Sequence, residues 1–438
     1  MIRTSHYLFA ALCLGSLFAC SRQFTDSYIV PKWCFAVFML FIVLAYEAVN
    51  ILFYRQNEQK DTRISVYGFI IVISCFLQAM FGVVQFFGFF QISTTLWVTG
   101  SFDNPAGFAA CLCAGFPFVG FLLSDSNKYI RYVGGLIGFV IVIAVILSQS
   151  RAGIMSIAFI CFILLNMKFF HKRWVKYLSL LCFALLLSGC YWMKKDSADG
   201  RLLIWRCSVS MVKDTPWLGH GIGSFEARYM DYQADYFRQY GLNRYSMLAD
   251  NVKHPFNEYL GVLINFGIVG LALLLGIVGA LVYCYRQNPT QEKKIALYAL
   301  LSIGVFSFFS YPFTYPFTWM VTFLAVLMLT ADYLKRIKIG TWGRNIIYSA
   351  ALMGFFWGQV RLGARTQSER SWQEASVLAL CHSYDEALPY YVSLKHRFED
   401  NPYFLYNYAA VFTEAKEYEK ALKVALECRK YWADYDLE

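Results

Sequence analysis

Residues 257–285 read "NEYLGVLINFGIVGLALLLGIVGALVYCY", an apolar run with a single acidic residue near its start. A helix of about 20 such residues crosses the roughly 30 Å hydrocarbon core of a bilayer. Similar apolar segments recur from the N-terminus to residue 362. The chain is 58% hydrophobic and only 16% charged, whereas a typical soluble domain is about 25% charged. The sequence therefore predicts an all-α, polytopic helical membrane protein.

The apolar pattern predicts about eleven membrane-spanning helices. Their expected ranges are 6–20, 33–54, 64–90, 105–123, 130–148, 152–168, 174–192, 257–285, 295–310, 314–333 and 345–361. We therefore predict a transmembrane domain over 1–362 that contains one large loop of short helices at 193–256. Residues 367–438 have the composition of a soluble domain and form a separate tail.

Basic residues orient the predicted bundle, because short cytoplasmic loops of membrane proteins carry an excess of Lys and Arg. The basic loops of this chain fall on one face when the predicted spans are threaded in order. They contain Arg55, Lys60 and Arg63; Lys128 and Arg131; Lys168, Lys172, Arg173 and Lys176; Arg286, Lys293 and Lys294; and Lys335, Arg336, Lys338 and Arg344. The opposite short loops, 91–104 and 311–313, contain no Lys or Arg. This pattern predicts a cytoplasmic N-terminus, with loop 193–256 and the tail on the far side of the membrane.

The net charge of +10 has the same origin in membrane orientation. No basic stripe with interleaved aromatic residues indicates a nucleic-acid partner. Most of the 13 cysteines lie inside apolar spans, where Cys behaves as a small hydrophobe. Their spacing is not typical of a metal site. The sequence therefore predicts a lipid bilayer as surroundings, and no nucleic acid, metal or cofactor.

The tail contains an internal repeat. "SYDEAL" at 383–388 and "EYEKAL" at 417–422 are offset by about 34 residues, the period of the tetratricopeptide repeat. The small and aromatic positions of that helix pair fall on Ala409, Phe412, Ala421 and Cys428. The pattern predicts a tetratricopeptide-like module over 367–438, and a generic pair of helical hairpins is the alternative. Two repeats rarely bury a continuous core, so we expect the tail to pack against the membrane domain or a protein partner.

The first polar motif among the apolar spans is "LSQSRAG" at 147–153, which places Arg151 at the non-cytoplasmic end of a helix. The preceding Ser148 and Ser150 are residues that commonly cap helix N-termini. A helix N-terminus with an arginine beside it favours an anion. The alternative interpretation is an arginine that snorkels to the membrane surface and caps a turn.

The second motif lies in the large loop and reads "GRLLIWRCSVSMVKDTPWLGHGIGSF" at 200–225. Its first part has apolar residues at helical spacing, so we expect it to lie along the membrane surface with Arg201 and Arg206. The glycine-rich turn that follows resembles a phosphate-binding loop only weakly, because no strand precedes it. His220 within this turn is a candidate ligand or base, or an ordinary loop residue.

The third motif, "HPFNEYL" at 254–260, precedes the apolar run quoted above. Pro255 suits the first position of a helix, so we expect the helix to begin there, with His254 and Asn257 facing one way. The positive end of the helix dipole would then favour an anion near His254. Arginine binds phosphate oxygens in a bidentate fork, and histidine can accept a proton. Together the three motifs predict a metal-independent pyrophosphate site with a proton acceptor.

In their order and spacing, these motifs and "GSFDNPAGFAA" at 100–110 resemble the O-antigen ligase and polymerase superfamily. The resemblance covers about residues 60–335. It implies a bacterial inner-membrane enzyme whose donor is a glycan linked to undecaprenyl diphosphate. Such enzymes transfer the glycan, on the periplasmic face, to a hydroxyl of lipid A-core, of a growing glycan or of a protein.

The resemblance also implies which residues act. The two arginines and the histidine of the family carry over by motif to the catalytic candidates Arg151, Arg201 and His254. The substrate-binding candidates are Ser150, Arg206, His220, Asn257 and Glu258. One departure is that the family's histidine commonly stands directly before the asparagine, where this chain has Phe256. His254 is then expected to serve instead, and Glu258 and His220 remain alternative bases.

The leading hypothesis is a ligase of the O-antigen type, with lipid A-core as the acceptor. A polysaccharide polymerase and a protein O-oligosaccharyltransferase differ from it only in acceptor, and the tail could recruit a protein partner for any of them. Two hypotheses come from other classes: a transporter of the lipid-linked glycan and a non-catalytic assembly platform. Transporters usually contain ionisable residues near the midplane and broken helices in matched halves, and the sequence shows no matched halves.

Overall fold

A computed structural model of the chain describes residues 4–53, 64–89, 98–168, 173–193, 195–336 and 340–434. Within these ranges the regular secondary structure is entirely helical. The α-helices are α1 (Thr4–Phe18), α2 (Ile29–Phe53), α3 (Ile64–Phe86), α4 (Pro105–Gly115), α5 (Val119–Leu123), α6 (Lys128–Leu147), α7 (Arg151–Lys168), α8 (Arg173–Met193), α9 (Lys195–Asp214), α10 (Ser224–Tyr240), α11 (Glu258–Gln287), α12 (Gln291–Ser307), α13 (Pro316–Arg336), α14 (Thr341–Leu380), α15 (Tyr384–Leu394), α16 (Pro402–Glu414) and α17 (Tyr418–Cys428).

Within the described residues, each predicted membrane span lies largely on helices. Those long and apolar enough to cross a membrane, 6 in the described ranges, are Ile29–Val49, Ser65–Phe86, Pro105–Leu123, Lys128–Leu147, Glu258–Gln287 and Pro316–Leu334. Shorter apolar helices are Thr4–Phe18, Arg151–Asn166 and Trp174–Leu185. The predicted class, an all-α polytopic membrane protein, is thereby confirmed. The predicted orientation stays a prediction, and Arg55, Lys60, Arg63, Lys172 and Lys338 lie outside the described residues.

The chain divides into two units. The first, the membrane unit, comprises Met1–Ser21, Asp26–Leu187 and Val278–Ala364. The second, the loop–tail unit, comprises Arg22–Thr25, Ser188–Ile277 and Arg365–Glu438. The predicted domain boundaries, 1–362 and 367–438, stay a prediction. The two units are defined by internal contacts and do not test where the membrane domain ends.

Helix α4 lies at the centre of the membrane unit. Its residues from Gly107 to Gly115 are all buried, and small side chains in this helix allow neighbouring backbones to approach closely. Buried hydroxyl groups join it to other helices: Ser302 of α12 donates to the Cys113 carbonyl at 2.7 Å, and Ser156 of α7 donates to the Ser302 carbonyl at 2.7 Å. Asn104 caps α4 by accepting a hydrogen bond from the Gly107 amide at 2.8 Å. The polar contacts therefore fix how α4, α7 and α12 pack.

The loop–tail unit has two apolar cores. One is formed by α9, α10 and the start of α11, with Leu203, Met211, Tyr229 and Ile264 buried in it. The other is formed by the helices of the tail, where the predicted small and aromatic positions are buried. These are Ala409, Phe412, Ala421 and Cys428. The tail thus consists of packed helix pairs, and its assignment to the tetratricopeptide class stays a prediction.

The tail packs against the large loop. The Tyr403 hydroxyl of α16 donates to the Glu226 carboxylate of α10, and the Lys253 ammonium lies 3.6 Å from the centre of the Tyr403 ring. Arg429 pairs with Asp231 at 2.7 Å, and the Asn251 amide donates to the Ala433 carbonyl at 3.2 Å. The loop therefore supplies packing contacts to the tail from outside the tail's own helices.

Candidate functional site

The candidate residues fall into two groups, which belong to different units and are described separately. Arg151 and Ser150 belong to the membrane unit, while Arg201, Arg206, His220, His254, Asn257 and Glu258 belong to the loop–tail unit.

A tight turn joins α6 to α7 and ends at Arg151. Gln149 in this turn has the left-handed φ of 53°, which is rare for a residue other than glycine. Ser150 then caps α7: its hydroxyl accepts from the Gly153 amide at 3.4 Å and its carbonyl from the Ile154 amide at 2.9 Å. Arg151 is the first residue of α7 and is only 8% exposed. The guanidinium and the helix N-terminus are both positive, so this turn favours an anion.

The turn before α11 differs from the prediction. The expected helix start at Pro255 is wrong, because Phe256 adopts the left-handed φ of 50° and interrupts the helical path. Asn257 is the N-cap residue instead, and its side-chain oxygen accepts from the amides of Tyr259 at 3.0 Å and Leu260 at 3.1 Å. The helix begins at Glu258. His254 therefore lies outside the helix, and the expected shared face with Asn257 does not exist.

Helix α9 packs on this turn through two side chains. The Trp205 indole donates to the Pro255 carbonyl at 3.0 Å. The Arg201 guanidinium carbon lies 4.9 Å from the centre of the Phe256 ring, a distance at which a cation is attracted to the ring face. Arg201 therefore contacts the residue two positions after His254. The structure brings Arg201 and the "HPFNE" turn together although 50 residues separate Trp205 from Pro255 in the chain.

Burial, followed by the charge of the neighbouring Lys253, lowers the pKa of His254 to about 4. Both effects disfavour the charged imidazolium. His254 therefore carries no charge near pH 7 and has a ring nitrogen able to accept a proton.

The other two basic candidates of the loop are engaged elsewhere. His220 Nε2 lies 2.9 Å from the Met211 carbonyl, and Nδ1 lies 3.0 Å from the Arg228 guanidinium. A carbonyl only accepts and a guanidinium only donates, so His220 is the neutral tautomer with its proton on Nε2. Arg206 is exposed, donates to the Tyr236 hydroxyl at 3.2 Å and lies 5.1 Å from the centre of the Tyr245 ring. Neither residue has a contact with the "HPFNE" turn among these interactions.

Sequence reasoning missed a break inside α11. Gly267 has φ 63° and ψ −161°, which interrupts the helix nine residues after its start. The glycine-rich turn of the loop fills the gap with four backbone hydrogen bonds. The Ile268 and Val269 amides donate to the Pro216 and Trp217 carbonyls at 2.8 and 3.2 Å, and the His220 and Gly221 amides donate to the Ile264 and Asn265 carbonyls at 2.7 and 3.1 Å. Residues 216–221 thus satisfy backbone groups that the broken helix leaves without partners; we call this arrangement the splice.

Two glycines make the splice possible. A Cβ on Gly219 would lie 2.5 Å from the Asn265 carbonyl carbon, and a Cβ on Gly267 would lie 2.2 Å from the Trp217 oxygen. Both glycines also have left-handed φ values. The glycines considered as a weak phosphate-loop signal therefore serve backbone contact, and two of the amides of the turn are used by α11. A glycine inside an apolar helical pattern was the only sequence signal for the break.

Sequence reasoning also missed Lys32, which is fully buried in the membrane unit. Its ammonium donates to the carbonyls of Ala19 at 3.0 Å, Tyr28 at 3.2 Å and Ser101 at 2.7 Å. It also lies 4.8 Å from the centre of the Phe102 ring. Lys32 therefore holds the start of the "GSFDNPAGFAA" motif in place.

Among the described residues, no group of three or more His, Cys, Asp or Glu side chains is placed to hold a metal ion.

Comparison with known proteins finds a family model that matches part of the chain. No curated protein matches the chain. Residues 136–275 match the family model described as O-antigen ligase. The matched segment contains Arg151, Arg201 and His254 as well as the splice. The match supports the assignment of this multi-pass membrane protein to the O-antigen ligase superfamily, and with it glycan transfer in O-antigen assembly.

Proposed function

We propose that this protein transfers a glycan from undecaprenyl diphosphate to an acceptor hydroxyl at the periplasmic face of the bacterial inner membrane. The favoured acceptor is a sugar of lipid A-core, which makes the protein an O-antigen ligase. The observation that carries the proposal is the uncharged His254 on a turn against which Arg201 packs at 4.9 Å. A base and a cation on adjacent segments match the two charges that develop in such a transfer.

The reaction forms one bond and breaks another. The acceptor oxygen attacks the anomeric carbon of the donor sugar, and the bond from this carbon to the diphosphate oxygen breaks. The hydroxyl proton passes to His254, and undecaprenyl diphosphate leaves with the electron pair. Arg201 stabilises the negative charge of the leaving diphosphate, and its planar fork suits two phosphate oxygens.

The low pKa of His254 agrees with this role. Because the pKa of His254 is about 4, its imidazole is unprotonated in the free enzyme throughout the neutral range and can accept a proton there. An anionic diphosphate bound nearby favours the imidazolium and raises this pKa. His254 therefore becomes a stronger base when the donor arrives.

The remaining candidates have supporting roles in the proposal. Arg151 binds an anionic group of the substrate, because its guanidinium adds to the positive end of α7. Ser150 shapes that turn. Asn257 uses its side-chain oxygen as a helix cap, so it offers a substrate only its amide nitrogen. Glu258 is the alternative base. Arg206 and His220 are weaker candidates because of the partners described above.

The topology completes the proposal. We place the N-terminus in the cytoplasm, and the large loop 193–256 and the tail 367–438 in the periplasm. The tail is then a periplasmic tetratricopeptide-like domain. A protein partner could dock on it in addition to its contacts with the loop.

A polysaccharide polymerase and a protein O-oligosaccharyltransferase use the same chemistry with another acceptor. From a different class, a transporter of the lipid-linked glycan is favoured by one observation, the break in α11 at Gly267, because transporters use broken helices at their binding sites. A non-catalytic assembly platform predicts that replacing Arg151 or His254 leaves glycan products unchanged.

A reconstitution experiment tests the proposal. The purified chain is placed in vesicles with a defined undecaprenyl-diphosphate oligosaccharide and is offered lipid A-core, glycan or periplasmic protein as acceptor, with EDTA present. We expect transfer to lipid A-core, lost in Arg201→Ala and His254→Ala. Arg238→Ala is the matched control, since this exposed arginine of α10 pairs only with Asp235 among the ion pairs described. Wild-type rates in both site variants would reject the site, and movement of the donor across the bilayer without a glycosidic product would favour the transporter.

A further inference from the structure

The break at Gly267 divides α11 into two parts of different character. The part before it, residues 258–266, contains Glu258 and Asn265. The part after it, residues 268–285, contains no charged residue and ends before Arg286. Eighteen helical residues rise about 27 Å, close to the roughly 30 Å of the hydrocarbon core. The second part is therefore nearly long enough to cross the membrane by itself, and a span formed by it alone would put the break at the membrane boundary on the side of the helix N-terminus.

The splice holds the glycine-rich turn at the same level as the break. Pro216 and Trp217 bond to Ile268 and Val269, the first residues of the apolar part. Three apolar side chains of this turn point away from the protein: Trp217 is 69% exposed, Leu218 74% and Ile222 85%. Ile268 and Val269 are also exposed. The exposed apolar surface of the turn is thus continuous with the surface of a membrane-spanning helix.

We propose that residues 216–222 form a membrane anchor whose Trp217, Leu218 and Ile222 side chains enter the boundary between headgroups and acyl chains. Three physical points support it. Adjacent exposed apolar side chains of this size mark an interaction surface. Tryptophan is enriched at the membrane–water interface. Irregular backbone can lie at this depth only if its polar groups are satisfied, and the splice satisfies four of them.

The anchor has a consequence for the large loop. The Gly-rich turn follows α9 directly, and His220 within it is fixed by Met211 of α9 and Arg228 of α10. Lipid contacts at Trp217 and Leu218 therefore fix the height of α9, and so of Arg201, relative to the membrane surface. The anchor sets the position of the loop at the membrane and does not depend on the proposed transfer activity.

Photocrosslinking from single positions tests the anchor. A benzoylphenylalanine residue is placed at Leu218 or Ile222 of the full chain, which is reconstituted in phosphatidylethanolamine–phosphatidylglycerol vesicles containing labelled lipid. The control position is Leu422 of α17, which is 62% exposed but lies in the tail. After illumination we expect lipid labelling at positions 218 and 222 to exceed that at 422 by about fivefold or more, as for residues at the interface.

Each other result overturns the inference. Labelling at 218 and 222 no greater than at 422, or crosslinks from both positions to the protein itself, would show that the turn does not meet lipid. Labelling confined to added undecaprenyl diphosphate, and absent from bulk lipid, would identify a site for the substrate chain instead of an anchor. Both positions are highly exposed, so either one alone gives an answer if the other variant does not fold.

Discussion

The turns before α7 and before α11 have a similar backbone conformation but lie in different parts of the chain. In each, a residue other than glycine adopts a left-handed conformation, Gln149 with φ 53° and Phe256 with φ 50°. In each, the next residue caps the helix, Ser150 in one turn and Asn257 in the other. In both turns the left-handed residue redirects the chain sharply, directly before the residue that caps the helix.

The two turns differ in the chemistry they present. The first places a nearly buried arginine, Arg151, at the start of its helix. The second places an acidic residue, Glu258, at that position and keeps an uncharged histidine, His254, ahead of the cap. One turn is therefore suited to hold negative charge, and the other to accept a proton. A shared backbone geometry does not imply a shared role, because the side chains at and before the cap determine the charge.

The largest effect is expected at the first turn. Replacing Arg151 with Ala should lower the transfer rate by about 10²- to 10³-fold, because a fixed cation for an anionic group of the substrate is lost. Arg151→Lys should recover only part of the rate, since an ammonium lacks the planar fork. Initial rates in reconstituted vesicles check both variants. A wild-type rate in Arg151→Ala would show that the turn has only a structural role.

At the second turn, His254→Ala should lower the rate by about 10²-fold, the usual contribution of a general base. The pH dependence provides a sharper check. Because the pKa of His254 in the free enzyme is about 4, kcat/KM should stay level from pH 8 down to pH 5 and fall only below it. The kcat profile should bend at higher pH, since the bound diphosphate raises the pKa. A fall in kcat/KM centred near pH 6.5 would contradict the burial of His254.

Replacing the two N-cap residues should have smaller effects, and these effects on the free energy of unfolding should differ between the two turns. Asn257→Ala should lower the free energy of unfolding by about 1 kcal/mol, because two hydrogen bonds of 3.0 and 3.1 Å are lost. Ser150→Ala should cost less, since its cap bond to Gly153 is 3.4 Å long. Titration of the purified protein with a denaturing detergent measures both. Equal losses would mean that the geometry of the cap bond does not control its contribution.

The smallest effect concerns the left-handed residues themselves. Gln149→Gly should raise the free energy of unfolding by about 0.5–1 kcal/mol, because glycine adopts a positive φ without steric cost. Phe256→Gly should instead lower it, since the ring contacts Arg201 and packs against the core of the loop. The same titration compares them. An increase in both variants would show that the Phe256 ring contributes little.

The parts of the site that sequence could predict are those set by local patterns. Arg151 at the start of a helix followed from the apolar spacing around it, and Ser150 from the preference of serine for caps. The sequence predicts the start of α11 at Pro255 and the structure has it at Glu258, because Phe256 carries no local sign of a left-handed conformation. The contacts of His220 and Arg206 cannot be predicted from local sequence either, because their hydrogen-bond partners, Met211 and Tyr236, lie in other segments of the loop.

The sequence by itself determined that this is a helical membrane protein with a soluble helical tail, and which segments carry its polar motifs. It could do so because transfer of an apolar segment into lipid and helix capping depend on residues close together in the chain. Only the tertiary structure decided that the glycine-rich turn enters the break in α11, that Arg201 packs on Phe256 and that burial keeps His254 uncharged. These outcomes depend on contacts between segments that are distant in the chain. The hydrogen bonding of a buried backbone group and the charge of a buried imidazole are both set by the residues that surround them in the folded protein.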